Sequence, residues 1–395
     1  LTLREEDPIR FFEEPIVSEM FPPGRGYYAL TRHADVVEAS KHPALFCSGQ
    51  GTNIPDMPPE FLEFLGSIIN MDDPRHARLR RIVSRGFTPK QLDAMKGDVE
   101  ATAAGILDDV IEKGEGDFVL DIAAILPLRI IVDLMGIPRS QEKFIFDRTN
   151  IILGLGDPEY VPDQTEAGIM AALLQAAQDL SLLITELGED RMKNPQNDLT
   201  TALVTAEVDG EVLTPGELAS FFLLLVVAGN ETTRNAIAHG LVALTDHPEQ
   251  RDRWAADFDA LAPTAVEEIV RWATPVIHFR RTVTEDGTRI GDREFAKDDK
   301  VVLWYASANR DPAVFADPYR FDVGRTPNDH VGFGGPGPHF CLGAHLARRE
   351  ITVMYRELFR RVPDIRAVGA PARLQSNFIN GIKHLPAEWT PGAAH

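Results

Sequence analysis

Phe333-Gly334-Gly335-Pro336-Gly337-Pro338-His339-Phe340-Cys341-Leu342-Gly343 decides how the rest of this 395-residue chain reads. Four glycines and two prolines rule out regular structure here and let backbone come close to a flat object. An amphipathic helix is expected straight afterwards, from Leu342 to Val362, with Ala347, Ile351, Met354, Leu358 and Val362 on one stripe. Cys341 therefore falls at a helix N-terminus, where free N–H groups and the helix dipole favour thiolate over thiol. Such a sulfur can be a nucleophile, a redox centre or a metal ligand. A buried structural cysteine is the ordinary alternative, and the glycine loop weighs against it. The only other cysteine is Cys47. Two are too few for a disulfide framework or a Cys-rich zinc site, and Cys47 reads as a small buried hydrophobe.

Working outward, the most informative helix runs from Thr214 to Asp246. Thr214 and Glu217 form a capping-box pair around Pro215 at the first helical position, a start signal worth about 1 kcal/mol. His247-Pro248 ends the helix after a length of roughly 48 Å. From Leu218 to Ala228 it is apolar on nearly every face and should be buried all round. Ala228-Gly229-Asn230-Glu231-Thr232-Thr233 then breaks the rules of a buried helix, as functional sites do. Further helical patterns cover Leu92 to Glu112, Gly168 to Lys193 and Pro263 to Ala273. Strand-like segments are short: Tyr27 to Thr31, Ile277 to Thr284 and Val301 to Tyr305. The fold class is mainly α with a small β portion, and with no repeat or linker the chain reads as a single domain over 1–395.

Composition narrows the function classes. Hydrophobic residues make up 44% and charged residues 25%, which is globular. Asp and Glu number 60 against 40 Lys and Arg, a net charge of −20, so nucleic acid and anionic membranes are poor partners. The longest strongly apolar run, Leu218 to Gly229, falls short of the about 20 residues of a membrane span, so no transmembrane anchor is expected. No secretory leader is read, and cysteine usage points to the cytoplasm.

Gly337-x-His339-x-Cys341-x-Gly343 resembles the cysteine-ligand loop of the cytochrome P450 haem-thiolate monooxygenases. Other stretches resemble the same family in the same order. His76-Ala77-Arg78-Leu79-Arg80 resembles its propionate-binding His and Arg, and Ala228-Gly229-Asn230-Glu231-Thr232 its oxygen-activation turn. Glu268-Ile269-Val270-Arg271 resembles its E-x-x-R helix, and Tyr319-Arg320-Phe321 its later arginine. Phe333 lies one residue further from the cysteine than in the usual pattern. The resemblance implies a P450 fold with the long central helix over a haem b (iron protoporphyrin IX), O2 as co-substrate, and Cys341 as axial iron ligand, with N–H groups around Leu342 and Gly343 tuning the sulfur. Phe333, Gly334 and Gly343 would lean on the haem, and His76, Arg80, Arg281 and His339 would hold its propionates. Ala228 and Gly229 would leave room for dioxygen, while Thr232 and Glu231 relay protons. Glu268, Arg271 and Arg320 would form a buried structural cluster.

Apolar stretches at Phe61 to Ile69, Ile151 to Leu155, Val276-Ile277 and Phe378-Ile379 imply a sizeable hydrophobic substrate, with Ile68, Ile69, Leu225, Val276, Ile277, Phe378 and Ile379 as candidate pocket residues. Asp72 to His76, Ser84 to Pro89 and Val226 to Asn235 are similar to the bacterial branch that oxidises methyl-branched lipids, terpenoids and sterol side chains. That likeness implies hydroxylation of a terminal or allylic carbon on an isoprenoid-like chain. Arginines cluster between Arg75 and Arg85 and again at Arg348, Arg349, Arg356, Arg360 and Arg361. Such a basic face on an acidic molecule suits an iron–sulfur ferredoxin, served by a ferredoxin reductase and NAD(P)H. Three rival readings are a haem-thiolate binding or sensing protein, a peroxide-driven peroxygenase and a metal-free cysteine hydrolase. The Glu231–Thr232 pair disfavours the first two, and the lack of a free base beside Cys341 disfavours the third.

Overall fold

The short strands read from sequence gather into one main sheet in the computed structural model, which describes residues 2–14, 24–57, 59–84, 87, 96–208 and 211–392. Its strands are β1 (Ile9–Phe12), β2 (Tyr27–Leu30), β3 (Phe46–Cys47), β4 (His278–Val283) and β5 (Lys300–Trp304), in the order β1-β2-β5-β4-β3. β5 is parallel to β2, with Val302 opposite Ala29, and antiparallel to β4, with Val302 opposite Arg280. Val301, Val302 and Leu303 are all buried, the continuous apolar pattern of a strand covered on both faces. β1 and β3 were not read from sequence; they hold four and two residues and carry no clear alternation.

The helices that build the site are α1 (His33–Lys41), α2 (Arg75–Ser84), α3 (Lys96–Asp108), α4 (Ile125–Met135), α5 (Glu142–Leu153), α6 (Glu166–Lys193), α7 (Pro215–Asp246), α8 (Phe258–Ala273) and α9 (Ala344–Arg361). α3 is the described part of the helix expected from Leu92; residues 92–95 lie outside the described residues, as do Arg85, Gly86, Thr88 and Pro89. α8 begins at Phe258 rather than at Pro263. The proline sits inside, forgoing the one bond its nitrogen could have made to Asp259, because Phe258 and Leu261 pack against the core.

α7 matches its sequence reading closely. Thr214 Oγ1 accepts from Glu217 N at 3.1 Å, and Glu217 Oε2 accepts from Thr214 N at 3.0 Å. Leu218 to Val226 belong to a core shared with α4, α6 and α2, whereas Ala236 to Leu244 belong to one shared with α3, α8 and α9. The site opens along the stretch between these two buried halves. α6 is long and apolar enough to cross a membrane by length and composition, which the run-length reading did not find. It packs on α7 and α5 through Leu173, Ala176, Ala177, Leu180 and Ile184, leaving Leu174 and Leu182 exposed.

Candidate active site between Cys341 and the central helix

Cys341 lies two residues before Gly343, the N-cap of α9. Its N–H donates to Phe333 O at 3.0 Å, closing the loop on itself, and Cys341 lines a cavity. Burial pushes the Cys341 thiol up, against the pull of a bond from Gly343 and the charges of Arg80 and Arg348. The loop glycines are explained differently. A Cβ at Gly335 or Gly337 would collide with Ser40 near the end of α1, so these two serve a protein contact. Gly334, at φ +87, makes the turn that brings Phe333 to the cavity wall. Arg348 lies over the Phe333 ring at 4.5 Å.

Across the cavity, α7 presents Phe221, Leu224, Leu225, Ala228, Gly229, Thr232, Thr233 and Ala236. The Thr232 hydroxyl donates to Ala228 O at 2.8 Å. A Cβ at Gly229 would sit 2.9 Å from Ile131 Cδ1 on α4, the movable end of that side chain. Glu231 does not border the cavity. It is buried on another face of α7, ion-paired with Arg234 and within 3.4 Å of Asn235 Nδ2. Burial pushes its carboxyl up despite the Arg234 charge.

About 1400 Å³ of space, open solvent included, lies between these walls. Of the candidate pocket residues, Ile68, Ile69, Leu225 and Val276 line it. Ile277 and Ile379 do not; they face a separate depression with His239, Arg310 and Arg373. Val276 is in extended, bridged backbone, so Ile277 after it points to the opposite side, which the apolar run concealed. Phe378 packs behind the wall on Phe279, ring centroids 5.4 Å apart. Ile151 to Leu155 do not line the cavity either.

At one edge, positively chargeable groups converge. His76 is buried with Nε2 unpartnered, and its ring centroid is 4.3 Å from that of His339. Burial together with the charges of Arg281, His76 and Arg80 pushes His339 down to about 2. Arg80 donates to Phe340 O at 2.6 Å, and buried Arg281 donates to Arg280 O at 2.8 Å. The unpartnered Nε2 of His76, beside the guanidinium groups of Arg80 and Arg281, suits an anion. With an apolar slot and a sulfur beside it, these residues would fit a haem and its propionates.

Beneath the loop, Arg271 grips Glu268 with two bonds of 2.7 Å, all fully buried. The third side chain is Arg325, whose Nε donates to Glu268 Oε2 at 3.0 Å. Arg320, expected in that role, contributes only its carbonyl oxygen, accepting from Arg325 Nη2 at 2.8 Å. Sequence reasoning also missed Glu350, which lines the cavity from α9 and is pushed up to about 8 by burial. A lone carboxylate beside Ile351 on the apolar stripe was the available signal. Several arginines of the expected basic face are already paired: Arg78 with Glu217 at 2.7 Å, Arg348 with Glu267 at 2.5 Å and Arg356 with Asp259 at 2.9 Å.

The family model for cytochrome P450 matches residues 158–362, and the chain belongs to the cytochrome P450 family. It is a P450 monooxygenase, and haem and O2 are what this family works with. It is 53% identical over 392 residues to a methyl-branched lipid omega-hydroxylase of Mycobacterium tuberculosis, covering 98% of this chain and 90% of that one. It is 39% identical to a steroid C26-monooxygenase of Mycolicibacterium smegmatis, over 98% of this chain and 89% of that one. A Mycobacterium marinum cytochrome P450 in complex with pseudoionone superposes with a TM-score of 0.94 at 41% identity, covering 98% of this chain and 93% of that one.

Proposed function

We propose that this single-domain P450 hydroxylates a terminal carbon of a methyl-branched lipid, isoprenoid or sterol side chain, with haem b held by Cys341. The observation that carries this reading is the apolar cavity bounded by Cys341 on one wall and by Ala228, Gly229 and Thr232 on the other. When bound, the haem supplies activation of O2 and insertion of one oxygen atom into a C–H bond. His76, Arg80, Arg281 and His339 hold the propionates, and Phe333, Gly334 and Gly343 seat the porphyrin. Ile68, Ile69, Leu225 and Val276 exclude water and hold a hydrocarbon chain by area, with few polar groups to orient it. Thr232 positions a proton with its hydroxyl, and Glu231 resupplies it after turning from its buried pair. Glu268, Arg271 and Arg325 lock the floor beneath the cysteine loop.

Electrons come from NAD(P)H through a reductase and an acidic ferredoxin, in the cytoplasm, docking near Arg75 and Arg349. Charge reversal at Arg349 is expected to slow electron transfer at low salt, and an unchanged rate and salt dependence overturns that docking site. The reading as a whole is tested by the reduced carbon monoxide spectrum and by incubating branched-chain lipids with ferredoxin and reductase, or with peroxide alone. The expected result is a thiolate-type spectrum, lost in Cys341→Ala, and terminal alcohols that need the redox partners. Product from peroxide alone favours the peroxygenase reading, and a spectrum without turnover favours a binding protein. Spectral response to anionic aromatics but none to branched lipids defeats the substrate class.

A further inference from the structure

Behind the cavity wall lies a depression whose lining shares no residue with the cavity. Val276 lines the cavity, and Ile277, the next residue, borders the depression. About 790 Å³ of space, open solvent included, lies within it. Three basic side chains converge there: His239 from α7, Arg310 from the segment after β5, and Arg373 from a two-stranded sheet formed with Ile382–His384. No Asp or Glu lines the depression among the described residues, in a chain that carries 60 of them. Neither guanidinium has an ion-pair partner among the described residues. The rest of the lining is partly apolar, with Ile277, Leu374, Ile379 and the Trp272 ring.

Donors outnumber acceptors here. His239 Nε2 lies 2.9 Å from Asn380 O; a carbonyl only accepts, so Nε2 carries the proton and donates to it. Arg373 Nη1 sits 3.3 Å from the same nitrogen, a donor facing a donor. Its contact with Asn380 Oδ1 is 3.5 Å long, the far end of hydrogen-bond reach. Arg310 is held in place, donating to Arg271 O at 2.9 Å and to Trp272 O at 2.7 Å, with its guanidinium over the Trp272 ring at 4.8 Å. Two neutral carbonyls leave that charge uncancelled. Burial, and then the charges of Arg373 and Arg310, push His239 down to about 4. The edge that suits the haem propionates is built alike, with burial and the charges of Arg281 and Arg80 acting on His339.

We propose that this depression binds an amphiphilic oxyanion, a carboxylate or phosphate head on a short hydrocarbon tail, with the head toward Arg373 and Arg310 and the tail on Ile277, Leu374 and Ile379. The head supplies the acceptors that Arg373 lacks. The apolar lining favours a head that carries hydrocarbon over a free, fully hydrated ion. Because the two linings are separate, this site does not depend on which molecule the cavity oxidises.

The test is calorimetric titration of octanoate into the haem-loaded enzyme after a bulky azole has filled the cavity, the absorption spectrum showing that the azole stays bound. One saturable site is expected. Affinity should rise severalfold with each pair of methylene groups from butyrate to octanoate. Octyl phosphate should bind as octanoate does, while 1-octanol, which keeps the tail without the charge, and inorganic phosphate, which keeps the charge without the tail, should both bind far more weakly. Arg373→Gln should weaken octanoate about tenfold or more, the loss of a charge-assisted hydrogen bond, and Arg373→Lys should keep part of the affinity. Arg373 is exposed, so both variants are expected to fold. No saturable heat from octanoate, or an affinity unchanged in Arg373→Gln, overturns the site. Inorganic phosphate binding as tightly as octanoate, with no gain from chain length, makes the occupant a free ion and overturns the amphiphile. Octanol binding as tightly as octanoate overturns the role of the two arginines.

Discussion

The middle of α7, from Ala228 to Ala236, has two faces that could hardly differ more. Toward the cavity it shows Ala228, Gly229, Thr232, Thr233 and Ala236, which are small side chains with two hydroxyls. Away from it lie Asn230, Glu231, Arg234 and Asn235, none more than 2% exposed. Charge here is concentrated inside the protein, while the cavity wall contributes space. The buried face should accordingly dominate stability and the cavity face chemistry. Breaking the buried pair is the largest effect expected. Arg234→Leu leaves Glu231 charged and unpaired and should cost about 3–5 kcal/mol in denaturant unfolding. Converting both residues to leucine should cost much less than the two single changes added together. A single-variant cost below about 1 kcal/mol would mean the two faces are energetically alike.

The opposite wall of the cavity sharpens the contrast, because Glu350 is buried there with no ion-pair partner among the described residues. Its carboxyl is raised from 4.5 to about 8. The folded protein therefore holds a proton that the unfolded chain releases. Stability from this group is fully present below pH 4.5, falls by about 1.4 kcal/mol per pH unit at most between 4.5 and 8, and is gone above. Glu350→Gln should flatten the decline of unfolding free energy over that window. A slope identical to wild type would show that Glu350 is hydrated and ordinary.

What the sequence could disclose follows from the range of the forces involved. The capping box of Thr214 and Glu217 and the stop at His247-Pro248 are local, and both ends of α7 were legible to the residue. The cysteine loop, the Glu268–Arg271 pair and the His76–Arg80 spacing are local as well. Partners supplied from far along the chain were not legible. Arg325 reaches Glu268 across 57 residues, whereas nearby Arg320 offers only backbone. Ser40 decides Gly335 and Gly337, and Ile131 is the neighbour a side chain at 229 would meet. Ile277, Phe378 and Ile379 are as apolar as the residues that line the cavity, and nothing local in the sequence marks them as lying outside it.

Gly229 offers a smaller test on the cavity face. In Gly229→Ala the added methyl gains up to about 1 kcal/mol of helix propensity but presses on Ile131 Cδ1, 2.9 Å away. Overpacking in a tight core costs about 1–3 kcal/mol, and Cδ1 is the movable end of its side chain, so the low end applies. Net destabilisation within about 1 kcal/mol is expected. Ile131→Val removes Cδ1 and should turn the alanine stabilising in the double variant. If the double variant is no better than the single, the contact with Ile131 is not what excludes a side chain at 229.

Thr232 carries the smallest stability effect and the most specific chemical one. Its hydroxyl already spends its proton on Ala228 O at 2.8 Å, a back-bond that adds little to a helix, and alanine is the better helix former. Thr232→Ala should therefore shift unfolding free energy by less than about 0.5 kcal/mol. The consequence for turnover is separate, because Thr232 borders the cavity beside Ala228. Reducing equivalents consumed per alcohol formed should rise several-fold, with substrate affinity unchanged. Thr232→Ser, which keeps the hydroxyl and loses the methyl, should restore the ratio. If serine couples no better than alanine, the role of residue 232 is steric, and the cavity face of α7 contributes shape without chemistry.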